Sequence, residues 1–174
     1  TWVHANDDPY LPIRYATVYL TPYLQRNEQW MSVSTCQTAE FADMVAFGEV
    51  LGEAIRRSDR RVVIVASGAL SHKFWPLSQL RQHEGADPAD VFSPEHRAAD
   101  ERVIKWLEAG DHAAVLADYP DFRQYAPEGR FAHYVIMATA SGGAAWDSSG
   151  VPYSDYENAA GTGQIHLWFP ATGS

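Results

Sequence analysis

His72 sits in the stretch VVIVASGALSHKF, residues 62–74, four positions after Gly68 and beyond a run of β-branched residues. In open α/β sheets, reactive groups collect just past the carboxyl ends of strands, where successive crossovers diverge and leave a crevice. A His at such an end titrates near neutral pH and can act as general acid or base; the plainer alternative is a loop His that caps a helix. Glu128, in APEGRFAHYV, stands just ahead of a nearly all-apolar segment and is expected to be drawn toward the interior. A carboxylate there needs a metal or a hydrogen-bonding partner to stay charged, although a helix N-terminus also favours negative charge. His133 follows five residues later and reads most plainly as a satisfied core histidine, while His166 alternates along the final apolar stretch IHLWF.

Other reactive residue types are less well placed. His4, Asp7 and Asp8 in HANDDP are metal-binding types at a spacing that matches no ligand signature, which reads as a solvated loop. Cys36 is the only cysteine, so an internal disulfide and a cysteine-based zinc site are excluded; in WMSVSTCQT it alternates into a strand as a small buried hydrophobe. GTGQ, 161–164, lacks the further Gly and the preceding strand of a dinucleotide loop. Thr1 is a nucleophile only if its own amine lies deep in a cleft.

The elements that must position these groups follow from periodicity. WMSVSTC, 30–36, alternates with the period of a strand, and VVIVA, 62–66, is the continuous apolar run of a strand buried on both faces. Between them, Phe41, Met44, Val45, Leu51 and Ile55 mark a helix over 39–57 with Thr38 as N-cap. Strand, helix, strand predicts a right-handed crossover in a parallel or mixed sheet. Ser93 and Pro94 open a further helix that ends before Gly110, with Val103, Ile104 and Leu107 as its buried stripe. A short helix follows over 112–118, closed by Pro120. RFAHYVIMATA, 130–140, is a helix apolar around its circumference and ended by Gly142 and Gly143. Residues 165–169 form a short strand stopped by Pro170.

The chain has 174 residues, 46% of them hydrophobic, enough for one domain. A net charge of −9 argues against a nucleic-acid or anionic-membrane surface, and IRRSDRR, 55–61, reads as cations offsetting a helix macrodipole. No apolar run reaches the roughly 18 residues of a membrane span and no signal-peptide pattern opens the chain, so a cytoplasmic location is expected. The opening TWVHANDDPYLPIRY, without Met or lead-in, reads as the later part of something longer. The fold class is α/β, a mixed or parallel sheet flanked by helices, with residues 1–174 forming a single domain or the C-terminal part of a larger one.

Taken in order, LPIRY, SVSTCQT, VVIVASGALSHKF, ADERVIKWLEAGD, PEGRFAHYVIMATASGG and GTGQIHLWFP resemble the class III extradiol ring-cleaving dioxygenases. This is the family of the catalytic subunit of protocatechuate 4,5-dioxygenase, with the 3,4-dihydroxyphenylacetate 2,3-dioxygenase branch nearer. SGALSH is the most specific of the matching stretches. The resemblance implies the C-terminal half of that domain. It also implies a mononuclear non-haem Fe(II) held by two His and one Glu, a catechol-type substrate cleaved with O₂, and a muconic semialdehyde product. By place within the motifs, Glu128 corresponds to the carboxylate ligand, and His72 to the acid–base His that accepts a phenolic proton and returns it. Ser71, His133 and His166 are the candidate substrate contacts. The family's two iron-binding His belong to a preceding half, so the resemblance implies an N-terminal half or companion chain that supplies them, and an oligomer. A chain lacking that pair is, on the alternative reading, a degenerate, non-catalytic binding or interaction module of the same fold.

Overall fold

In the computed structural model, which describes residues 15–34 and 36–171, helix α1 spans Tyr15–Leu24 and helix α2 spans Phe41–Arg57. Thr1, His4, Asp7 and Asp8 lie outside the described residues. Helix α2 begins later than its apolar spacing predicts. Glu40, not Thr38, precedes the first turn in an extended conformation, because its N–H donates to Asp43 Oδ2 at 2.9 Å in a capping box. Arg56 and Arg57 close the helix as cations at its negative end.

Helix α3, Leu77–Leu80, is a single turn, and α4 is the predicted helix Pro94–Ala109. Ser93 accepts the His96 N–H at its start, Pro94 fills the first turn where no donor is needed, and Gly110 ends it at φ 73°. Its buried stripe is Ala99, Asp100, Val103, Ile104 and Leu107. Helix α5, His112–Ala117, is followed at once by α6, Tyr119–Phe122; Pro120 opens that second turn instead of only closing the first.

Helix α7, Ala132–Ala140, is the central element, with Tyr134, Val135, Ile136 and Ala138 buried. It starts two residues after the predicted point because Gly129, Arg130 and Phe131 are all left-handed, at φ 57°, 60° and 64°. Helices α2 and α7 pack through a glycine seam. A Cβ on Gly48 would lie 2.7 Å from Thr139 Cβ, and one on Gly52 would overlap the Ala140 carbonyl. Backbones that approach this closely leave no room for side chains at those two positions.

The predicted parallel or mixed sheet is not present among the described residues. They contain two antiparallel ribbons, β1 (Val151–Pro152) with β4 (Leu167–Trp168), and β2 (Glu157–Ala159) with β3 (Thr162–Gln164). The strand predicted over 165–169 therefore shrinks to two residues. GTGQ is a hairpin and its returning strand: Ala160 and Gly161 both have positive φ, 58° and 105°, as the two central residues of a tight hairpin turn require. Residues 30–34 and 62–66, predicted as strands from alternation and from a continuous apolar run, form no ladder among the described residues, since β pairing needs a neighbouring strand that neither pattern provides. Val63 is 66% exposed and Met31 76%. Cys36, predicted to be buried in the first of these strands, is exposed for the same reason, its sulfur 3.1 Å from Thr38 Oγ1. No helix among the described residues is long and apolar enough to cross a membrane.

Candidate active site

Residues 69–71, at the centre of SGALSH, are buried, and each of their backbone N–H groups has a partner from a different part of the chain. Ala69 N–H donates to Glu128 Oε2 at 2.7 Å, Leu70 N–H to the Gly163 carbonyl at 2.9 Å, and Ser71 N–H to Asp100 Oδ1 at 2.8 Å. Bonds also return: Gly163 N–H donates to the Ser71 carbonyl at 3.0 Å, and Glu128 N–H to the Leu70 carbonyl at 3.3 Å. A buried amide without a partner costs on the order of 1–3 kcal/mol, so the segment is held from α4, from β3 and from the turn before α7.

This network ties Glu128 to the loop that carries His72. Glu128 reaches the loop through its side chain at Ala69 and its own amide at Leu70, three and two residues before His72. The left-handed residues 129–131 turn the chain sharply between Glu128 and α7. Arg130 anchors that turn with bonds to the Gln37 carbonyl at 3.0 Å and to Glu40 Oε2 at 3.1 Å, while Phe131 is buried against Phe122 and Tyr134. His72 is half-buried and meets Phe74 edge to face at 4.8 Å.

His133 belongs to the same cluster. Its ring lies against Gly68, where a Cβ would come within 2.5 Å of Cε1 and Nδ1, so the Gly serves the close approach of an imidazole. Burial pushes the His133 pKa down to about 4, against the opposing pull of the Glu128 carboxylate and backbone. Neutral imidazole is therefore its resting form. Ser71 is fully buried, and its hydroxyl donates inward to Asp100 Oδ2 at 2.7 Å. His166 is exposed, bonded through its N–H to Ser154 Oγ at 2.9 Å, and lines a shallow groove with Tyr153, Leu167 and Trp168. Thus Glu128 and His133 meet at residues 68–70 of the loop that carries Ser71 and His72, the Ser71 hydroxyl turns to Asp100, and His166 sits in the ribbon groove.

Asp100 and Tyr156 were not among the sequence candidates. Asp100 is 0% exposed and accepts three hydrogen bonds, two from Ser71 and one from the Tyr156 hydroxyl at 2.7 Å. All three donors are neutral. Burial raises its pKa to about 6, although the Ser71 and Tyr156 bonds act to lower it. The available signal was its register: Asp100 lies three, four and seven residues before Val103, Ile104 and Leu107, a carboxylate on the apolar stripe of a helix. His112, also fully buried, bonds Tyr134 Oη at 2.8 Å and the Ser148 carbonyl at 2.9 Å and stacks on Trp146, a satisfied core histidine.

A carboxylate tied to a His-bearing loop and flanked by a neutral imidazole is an arrangement suited to metal-assisted or acid–base chemistry. The family model described as the catalytic LigB subunit of aromatic ring-opening dioxygenase matches residues 18–165, and the chain belongs to that family. It is also 30% identical over 125 residues to the 3,4-dihydroxyphenylacetate 2,3-dioxygenase of Escherichia coli. That match covers 70% of this chain and 44% of the relative, so the matched region spans less than half of the relative's length.

Proposed function

We propose that this chain carries the proton-transfer half of an extradiol dioxygenase site, in a protein that opens a catechol-type ring with O₂ to a muconic semialdehyde. The observation that carries the reading is the 2.7 Å bond from Ala69 N–H to Glu128 Oε2, which ties the family's carboxylate position to the loop bearing its acid–base His. The E. coli relative's name makes 3,4-dihydroxyphenylacetate the first substrate to try.

Among the described residues, no group of three His, Cys, Asp or Glu side chains could hold a metal ion. Glu128 fits as one carboxylate ligand of Fe(II), and in this reading the two His ligands come from an N-terminal half or a companion chain. Bound iron would supply coordination for both catechol oxygens and for O₂. The chain's own residues then do the following. His72 takes the proton of the second phenolic hydroxyl onto a ring nitrogen and gives it back as the ring opens. His133, neutral and packed beneath Gly68, offers an uncharged wall to the anionic catecholate, and His166 contributes to substrate contact from the ribbon groove. The exposed Val62, Val63 and Val65 support a covering partner, because a β-branched run left in water is what a buried strand becomes when its neighbours are supplied from elsewhere.

A second reading is a non-catalytic module of the same fold, which holds if no partner or preceding segment supplies the two His ligands. Iron-loaded complete protein mixed with 3,4-dihydroxyphenylacetate separates the two. A yellow ring-cleavage product, lost in His72→Gln, supports the enzyme; iron-replete protein that yields no product from any catechol supports the module.

A further inference from the structure

We propose that Asp100 is a positioning residue for proton transfer: a buried carboxylate on α4 that, through Ser71 and with Tyr156, fixes where the adjacent His72 is presented. The proposal deepens the dioxygenase reading and rests on it for the role of His72.

The geometry is that of a two-pronged clamp. Asp100 Oδ1 takes the Ser71 backbone N–H at 2.8 Å, and Oδ2 takes the Ser71 hydroxyl at 2.7 Å, so one carboxylate grips one residue by both main chain and side chain. That grip fixes the plane of the Leu70–Ser71 peptide and its distance from α4, while Gly163 N–H holds the Ser71 carbonyl, at 3.0 Å, in the next peptide, which leads into His72. Tyr156 adds a third bond to Oδ2 at 2.7 Å and comes from the segment just before β2, so the clamp also joins the ribbon to the loop. Gly163 completes it, since a Cβ there would overlap Asp100 Oδ2. Both Ser71 and Asp100 are 0% exposed.

Burial without a cation is expensive for a carboxylate, and an apolar residue would fill the α4 stripe more cheaply if packing were the sole requirement. The three neutral donors offset part of that cost, and what they secure is orientation. Groups that hold a reacting residue from behind typically change activity by roughly 10- to 100-fold when removed. Ser71 accordingly serves the site by being held, with its hydroxyl turned toward Asp100.

The test uses the complete, iron-loaded protein and its Asp100→Ala, Asp100→Asn and Tyr156→Phe variants. Three quantities are read: kcat and KM for 3,4-dihydroxyphenylacetate, iron content, and amide hydrogen exchange across residues 68–74. In Asp100→Ala, exchange at 69–72 should quicken, and kcat should fall by about 10- to 100-fold while KM and iron stay within about twofold. Asp100→Asn keeps an oxygen for the Ser71 N–H and should recover most of kcat; Tyr156→Phe should lose least. If Asp100→Ala does not fold, the Asn and Phe variants carry the same ordering. Unchanged loop exchange with unchanged kcat overturns the clamp, as does a parallel collapse of kcat, KM and iron with exchange rising throughout α4 and α7. A loop that loosens in Asp100→Ala, beside a His72→Gln variant with full turnover, overturns the acid–base reading and leaves the clamp standing.

Discussion

Residues 61–67 and residues 69–71 are neighbours in the chain and opposites in the fold. The first segment is rich in valine and lies largely in water; the second contains a serine and is buried. Apolar content, five of seven residues against two of three, does not separate them. What differs is hydrogen bonding: each amide of 69–71 has a partner on α4, β3 or Glu128, while 62–66 forms no ladder among the described residues. Order here follows the polar network, and hydrophobic residues are buried only where some other element arrives to cover them.

The largest expected effect is at the strongest tie. Glu128→Ala removes the acceptor of the Ala69 amide and, on the proposed function, the iron carboxylate. Metal analysis of the complete protein should show roughly a tenfold or greater loss of iron affinity, and full occupancy would remove Glu128 from the ligand set. Next comes His72→Gln, expected to slow ring opening by about 10² to 10⁴ with iron retained, read by stopped-flow absorbance of the product.

Asp100 gives a pH test of the pinned side. Its pKa is about 6 folded against an ordinary 3.8, so the folded state holds that proton more tightly. The resulting stabilisation is complete below pH 3.8 and is lost as pH rises through about 6, a change of about 3 kcal/mol. Ser71 and Tyr156 donate to the carboxylate and Glu101 is the nearby like charge. Denaturant melts between pH 4 and 7 should show this slope in wild type and lack it in Asp100→Asn; parallel curves would remove the carboxylate from the pH response. The smallest effect falls on the unpinned side. Val63→Thr should change the stability of this chain by less than about 0.5 kcal/mol, whereas Val135→Ala, in the core, should cost about 2 kcal/mol. A cost near 2 kcal/mol for Val63→Thr in the complete protein would locate the covering partner on that run.

Local chemistry made α4 legible from end to end, because Ser93, Pro94 and Gly110 act within one turn of themselves. Helix α7 was legible for a different reason: nine residues of nearly unbroken apolar character have nowhere to go but the interior. The runs at 30–36 and 62–66 were misleading, since a ladder depends on a partner that neither alternation nor a continuous apolar run can supply. In the candidate site, His72 and Glu128 are legible by motif. Their connection through Ala69 spans 59 residues and has no local signature. Asp100 is visible in the helical register, but a carboxylate on an apolar stripe does not by itself name its partners, Ser71 and Tyr156.

The left-handed run Gly129–Arg130–Phe131 carries a consequence for the order in which this molecule is made. Two non-glycine residues in that region cost roughly 1–2 kcal/mol each, and the compensating contacts, Arg130 to Gln37 and Glu40 and Phe131 to Phe122, all lie outside the turn. The turn therefore cannot form ahead of its surroundings. Its formation is expected to accompany the docking of the segments it contacts, Gln37–Glu40 and α6. Substitutions at Arg130 should consequently speed unfolding while leaving the folding rate nearly untouched, the kinetic mark of a segment that assembles on the native side of the barrier.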